Sequence, residues 1–357
     1  MQELGWRIEP AVTGIHRSLK PLGALPHIAD KLDADTGPNA FEFSLDVEML
    51  HIDATSYRVI RERAGSDPHA IADLIRSIVA ERGKMQNPWT GSGGVLVGRV
   101  DTVGVHVEGD VLARGQRVVP LVSLIALPLR LVDVGPVDPG SAQIPARGRA
   151  IVTARMPWAI LPDDLPLDVA LTAFDVYPAA WHVRQRARPG DHVVILGAGH
   201  AGVLAAVAAG EAVGETGRVT VVDSSDRSLQ RLRSVAPPAR AIRADATDPV
   251  AVGRAIEEDG GGTAELTLIC TSAPGCEGTA ILLTSQTGTI LFFSTATSFP
   301  AAALGTDTFG SGAELVIPNG CTPDRGSYTL DLLRENPGLL DCFRHRVARQ
   351  QPGIPRS

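Results

Sequence analysis

His192-Val193-Val194-Ile195-Leu196-Gly197-Ala198-Gly199-His200-Ala201-Gly202 runs straight into the alanine-rich stretch Val203–Ala209. A fully apolar strand thus passes through a glycine turn into a helix, the setting in which a GxGxxG spacing carries meaning. Gly197 permits the tight turn, Gly199 lets the backbone approach a pyrophosphate, and Gly202 lets the helix pack close to the strand. Ala198, His200 and Ala201 complete the loop, with His200 read as a surface residue beside the phosphates. The helix start offers free N–H groups and a partial positive charge to those phosphates. A second strand, Arg218–Val222, ends at Asp223, about 20 residues further on. A carboxylate there accepts hydrogen bonds from the adenosine ribose hydroxyls and repels a 2′-phosphate. The expected cofactor is NAD rather than NADP, although Arg227 is close enough to soften the preference.

Outward from this segment, apolar strands and helices alternate. Leu171–Gln185 reads as a helix and Arg188-Pro189-Gly190-Asp191 as a turn. Val219–Val222, Ala239–Ile242, Leu266–Cys270 and Thr289–Phe293 read as strands, separated by Leu229–Leu232, Val250–Glu258 and Thr279–Leu283. Continuous apolar strands between helices predict a parallel sheet covered on both faces, an α/β Rossmann doubly wound fold. Residues 162–321 are assigned to it.

Residues 1–161 have a different texture, with short strands broken by Gly and Pro. Ala40–Leu50 alternates apolar and polar residues, as a half-buried strand should. Ala70–Arg82 places Ile71, Leu74, Ile75, Ile78 and Val79 on one helical face. A glycine-rich stretch, 90–98, precedes a strand expected over Val100–Val107. Residues 322–357 hold one more helix near Thr329–Arg334 and are expected to pack back on this first domain.

Composition narrows the function classes. The 357 residues are 44% hydrophobic, 20% charged and 4% aromatic, with 37 glycines and a net charge of -7. No basic patch points to nucleic acid or a membrane surface. No apolar run reaches the ~18 residues of a membrane span. The start, MQELGWRIEP, lacks the order of a signal peptide, so a cytoplasmic location is expected. Cys270, Cys276, Cys321 and Cys342 are too widely spaced for a zinc ribbon or a disulfide scaffold.

The order of the domains, β-rich then Rossmann, resembles the medium-chain dehydrogenase/reductase superfamily, which implies a GroES-like β-rich catalytic domain. Its zinc alcohol dehydrogenases carry G-H-E-x-x-G-x5-G-x-x-V. Here Gly93-Gly94-Val95-Leu96-Val97-Gly98, five residues, then Gly104-Val105-His106-Val107 keep the spacing. Gly94 replaces the zinc-binding His and Val95 the Glu. Counting back from the nucleotide glycines puts another usual ligand near Thr172. Zinc needs three good protein ligands, so no metal is expected.

Further stretches resemble one branch, the L-erythro-3,5-diaminohexanoate dehydrogenases. They include His16-Arg17, Gly23-Ala24-Leu25-Pro26, Ile52-Asp53-Ala54-Thr55-Ser56-Tyr57 and Arg82-Gly83-Lys84-Met85-Gln86-Asn87-Pro88. Thr90-Gly91-Ser92-Gly93-Gly94 and Phe292-Phe293-Ser294-Thr295-Ala296-Thr297-Ser298-Phe299 extend the match along the chain. Two positions depart from that pattern: Lys20 replaces an acidic residue and His51 an Asn.

The resemblance implies an NAD-linked removal of the 3-amino group of a diamino acid, and homodimers or homotetramers. A base must first deprotonate the ammonium. Asp53 is the first candidate, as base or ammonium anchor, with His51 as proton relay. Arg17 or Lys84 is expected to meet the substrate carboxylate. Ser123, Thr295 and Ser298 are expected at the substrate, the latter two beside the nicotinamide. Gly91, Gly93 and Gly94 allow either a close backbone approach at the site or a barrel-corner turn. Two other readings stay open: a zinc-free quinone or enoyl-type reductase, and a catalytically silent NAD-binding subunit.

Overall fold

The computed structural model describes residues 10–107, 112–294, 296–317 and 323–345. They divide into two compact units, the first ending at Asp175 and the second running from Val176 and including Asp324–Arg344.

The first unit contains β1 (Ser18–Lys20), β2 (Lys31–Leu32), β3 (Glu42–Ile52), α1 (Ala54–Ala64), α2 (Pro68–Arg82) and β4 (Gly94–Val103). It continues with β5 (Arg117–Pro120), β6 (Leu129–Val134), β7 (Gln143–Thr153), β8 (Trp158–Ile160) and α3 (Leu167–Val176), whose last residue lies in the second unit. Six strands pair antiparallel in the order β6-β7-β3-β4-β5-β8. β3 lies between β7 and β4, so it is buried along most of its length rather than on one face only. Its Phe43, Leu45, Leu50 and Ile52 join one core with Ile71, Ile75 and Val79 of α2, and Leu74 packs at the edge.

The glycine-rich stretch is strand sooner than expected, because β4 already starts at Gly94. A Cβ at Gly94 would lie 2.0 Å from the His51 carbonyl oxygen, and its φ of +115° is one that side chains avoid. Gly94 thus admits the neighbouring strand β3, whereas Gly93 faces the Met85 carbonyl and Gly91 open space.

The second unit holds α4 (Pro178–Arg186), β9 (His192–Leu196), α5 (His200–Val213), β10 (Arg218–Asp223), α6 (Asp226–Val235), β11 (Arg240–Arg243) and α7 (Pro249–Glu258). β12 (Ala264–Ile269), α8 (Glu277–Leu283), β13 (Thr284–Phe292), α9 (Phe299–Phe309), β14 (Glu314–Val316), α10 (Pro323–Glu335) and α11 (Pro337–His345) follow. Its six strands are parallel in the order β11-β10-β9-β12-β13-β14. Read as 3-2-1-4-5-6, this is the Rossmann order, and it reverses beside β9. The protein is therefore α/β, a doubly wound parallel sheet plus a GroES-like β-rich unit.

Three expectations need correction. The helix read over Leu171–Gln185 is two helices, α3 and α4, because Pro178 has no N–H to continue the ladder. The boundary placed at 161/162 falls after Asp175 instead. The helix expected near Thr329–Arg334, assigned with residues 322–357 to the first domain, falls in the second unit, where the buried Thr329 hydroxyl donates to the Tyr177 carbonyl at 3.1 Å.

Candidate active site

In the second unit the chain leaves β9 at Gly197 and enters α5 at its N-cap, Gly199. A Cβ on Gly197 would come 2.8 Å from the Thr271 nitrogen, and one on Gly202 would come 1.8 Å from the Gly197 carbonyl oxygen. Only glycine fits either place. Among the described residues no side chain caps α5, and the N–H groups of its first turn suit an anionic group. Asp223 ends β10 and stiffens the loop: its Oδ2 accepts from the Ala198 N–H at 2.7 Å and its Oδ1 from the Ser225 N–H at 2.8 Å. These features fit a dinucleotide, with the loop amides for its pyrophosphate and Asp223 beyond them. Ala201 is buried in the first turn, while the His200 ring packs on Phe343, 4.7 Å between centroids.

Ser298 is exposed and caps α9, its Oγ accepting from the Ala301 N–H, while its own N–H donates to Glu277. That hydroxyl serves the helix as its cap. Thr295 lies outside the described residues. Ser123 is half-buried before a short 3-10 turn and makes no cap.

In the first unit β3 ends at Ile52 and Asp53 caps α1, its Oδ1 accepting from the Ser56 N–H at 2.9 Å. The Ser92 hydroxyl donates to the same oxygen at 3.2 Å and also meets Ser56 Oγ at 2.7 Å. Thr90 Oγ1 closes the hydroxyl cluster at 3.0 Å from Ser92 and 3.2 Å from Ser56. Asn87 donates to the Ser56 carbonyl. The Asn87–Gly94 segment thus forms a hydrogen-bonded seat for one carboxylate oxygen. The other, Oδ2, is buried and has no hydrogen-bond partner among the described residues. Burial above all, and then the charge of Asp175, push the Asp53 carboxyl above the usual carboxylate range, against the lowering pull of Ser56 and Ser92.

His51 lies two residues earlier on β3 and is 6% exposed. Its Nε2 is 3.8 Å from Asp175 Oδ2, and its Nδ1 is 3.4 Å from Gln143 Nε2, which also donates to the Asp168 carbonyl. Thr172, one turn before, donates to that same carbonyl, so it is an inert helix hydroxyl. Asp175 and Gln143 escaped the sequence reading because they come from α3 and β7, far from position 53 in the chain.

Arg17 and Lys84 do not present cations to a ligand. Arg17 is 2% exposed and all five of its N–H donors are engaged: Glu42 takes two, and the carbonyls of Asp33, Thr36 and Gly37 take three. Burial alone would raise the Glu42 carboxyl, but hydrogen bonds from Arg17, His16 and Asn39 bring it down to about 2. Lys84 is fully buried and donates to the Pro26 carbonyl at 2.8 Å. Its burial, with Arg82 nearby, lowers the ammonium to about 8, opposed by Asp30. Lys20, one of the two departures, is exposed on β1.

Among the described residues, no group of three or more His, Cys, Asp or Glu side chains is arranged to hold a metal ion. No described helix is long and apolar enough to cross a membrane.

Comparison with known proteins places this geometry. The chain is similar to a quinone oxidoreductase of Pseudomonas syringae, with TM-score 0.55, 14% identity, and coverage of 89% of this chain and 91% of that one. It is also similar to the Escherichia coli quinone oxidoreductase complexed with NADPH, with TM-score 0.53, 15% identity and coverage of 89% and 91%. At such identities the likeness is one of fold. Two relatives are nearer in sequence, both bearing the name L-erythro-3,5-diaminohexanoate dehydrogenase. That of Fusobacterium nucleatum is 38% identical over 92% of this chain and 96% of its own length. That of Acetoanaerobium sticklandii is 36% identical over 92% and 97%. Residues 16–162 match the L-erythro-3,5-diaminohexanoate dehydrogenase N-terminal domain. The chain belongs to the L-erythro-3,5-diaminohexanoate dehydrogenase family.

Proposed function

We propose that this protein oxidatively deaminates L-erythro-3,5-diaminohexanoate to 5-amino-3-oxohexanoate and ammonia, with NAD as acceptor and without zinc. The observation that carries the reading is the Asp53 carboxylate, buried, seated on one oxygen and unpartnered on the other. An ammonium cannot release hydride until it loses a proton, and a carboxylate held above its usual range is a suitable acceptor. Ser56 and Ser92 fix the orientation of Asp53, so that Oδ2 faces the ammonium. Bound NAD supplies the two-electron acceptor for the hydride from the substrate's C3. Water then adds to C3 of the resulting iminium, ammonia leaves, and the proton held by Asp53 returns to solvent.

The preference for NAD is supported by Asp223 at the end of β10, since a carboxylate after the second strand of such a fold disfavours a 2′-phosphate. Zinc independence rests on the donor set, since Gly94 and Val95 occupy the usual His and Glu positions of zinc-bearing relatives of the fold. The test is a cofactor and substrate screen. The expected result is one NADH and one ammonia per diamino acid consumed. Turnover of unsaturated ketones with NADPH, and none of the amine, would support the quinone-reductase reading instead.

A further inference from the structure

Asp53 Oδ2 is shut off from solvent with nothing to accept from. A buried carboxylate oxygen in that state is costly unless a donor, best a cation, is brought to it. The groups that most lower Asp53 among the described residues are Ser56 and Ser92, rather than an arginine or lysine. Asp175 adds a second negative charge. It comes from the last turn of α3, and its Oδ2 lies 3.8 Å from His51 Nε2, beyond hydrogen-bond reach. Its side chain is 17% exposed and forms no hydrogen bond among the described residues. The Asp175 charge disfavours the ionised form of Asp53, an effect that positive charge brought to the pair would relieve.

We propose that Asp53 and Asp175 together form a receptor for a dication, Asp53 meeting the ammonium that reacts and Asp175 the second ammonium of a 1,3-diamine. The assignment rests on the deamination reading and adds to it the residue that selects diamines. Asp53 is the member that takes the proton, because its free oxygen is the buried one. Asp175 keeps the non-reacting ammonium in place, with His51 beside it. A substrate with one amine relieves only part of the repulsion and leaves Asp175 unpaired.

The test compares the diamino acid with 3-aminohexanoate, which lacks the second amine, on wild type, Asp175→Asn and Asp175→Glu. Asp175→Asn is expected to lower kcat/KM for the diamino acid roughly 10- to 100-fold more than for 3-aminohexanoate, whose smaller change reflects only the altered charge beside Asp53. Asp175→Glu restores part of the loss. Equal losses on both substrates, or no loss on either, overturn the receptor.

Calorimetric titration with 2,4-diaminopentane, which carries both ammonium groups and cannot be mistaken for the amino acid, reads the receptor without turnover. Wild type is expected to bind it about tenfold more tightly than Asp175→Asn. If no amine is oxidised but this difference holds, the deamination reading fails and the receptor stands. If the diamino acid is oxidised and the difference is missing, the receptor fails and deamination stands.

Discussion

The loop at Gly197–Gly202 and the seat of Asp53 are built on opposite plans. The loop is local: one strand, one turn and one helix start, eleven consecutive residues from His192 to Gly202. It works through backbone amides, so its chemistry follows from where side chains are missing. The Asp53 seat is assembled from β3, the Asn87–Gly94 segment, β7 and α3, and it works through side chains held by other side chains. The lesson is that the backbone site can tolerate change at its polar positions, whereas the side-chain site depends on each contributor.

Asp53→Asn gives the largest expected effect, since it keeps the cap on α1 and removes the base. kcat/KM for the diamino acid should fall by ~10²- to 10⁴-fold, while NADH affinity, read by fluorescence titration, stays unchanged. A parallel loss of NADH binding would mean the two sites are not separable in this way.

Ser92→Ala takes one of the two hydrogen bonds from Asp53 Oδ1. Losing a hydrogen bond to a charged group costs about 1.5–3 kcal/mol of stability, and as Asp53 loses its fixed orientation a roughly tenfold to hundredfold fall in kcat is expected beside a lowered melting temperature.

Gly202→Ala is the matching change in the loop. Its Cβ would meet the Gly197 carbonyl oxygen at 1.8 Å, so the helix start must shift. A cost of about 1–3 kcal/mol in thermal stability should accompany weaker NADH binding. Asp223→Ser is expected to act more mildly. It lowers the preference for NAD over NADP, seen as a ratio of kcat/KM values, and leaves amine selectivity as it was.

The smallest expected effect on turnover at neutral pH concerns the Arg17–Glu42 pair, whose consequence is for stability. Glu42 is held at about 2, below its ordinary value of 4.5, so its stabilising contribution is complete above the ordinary value and is lost as pH falls towards 2. Melting temperatures should therefore hold on mild acidification and drop between those limits. Glu42→Gln should be less stable already at pH 7, because it strands a buried guanidinium.

How much could be read in the sequence follows from the same contrast. The alternation of apolar strands and helices and the glycine turn between β9 and α5 were legible, because each is written in consecutive residues. Asp53 and His51 were singled out two residues apart at the end of one strand, and their roles belong to the proposed function. Asp175 was not, since only the folding of α3 brings it near β3. Arg17 and Lys84 were read as ligands for a carboxylate. Nothing near them in the chain shows that Glu42 or the Pro26 carbonyl would take their charge. Ser298 reads equally well as a site residue or a helix cap until the helix is seen to start there.

The central claim is that protein carboxylates, rather than a zinc ion, handle the amine. The measurement that tests it most directly is NADH formation from the diamino acid by enzyme dialysed against a strong chelator, with zinc counted in the same sample. The account predicts full activity at a zinc content far below one per chain. Activity that vanishes on chelation and returns with added zinc would contradict it.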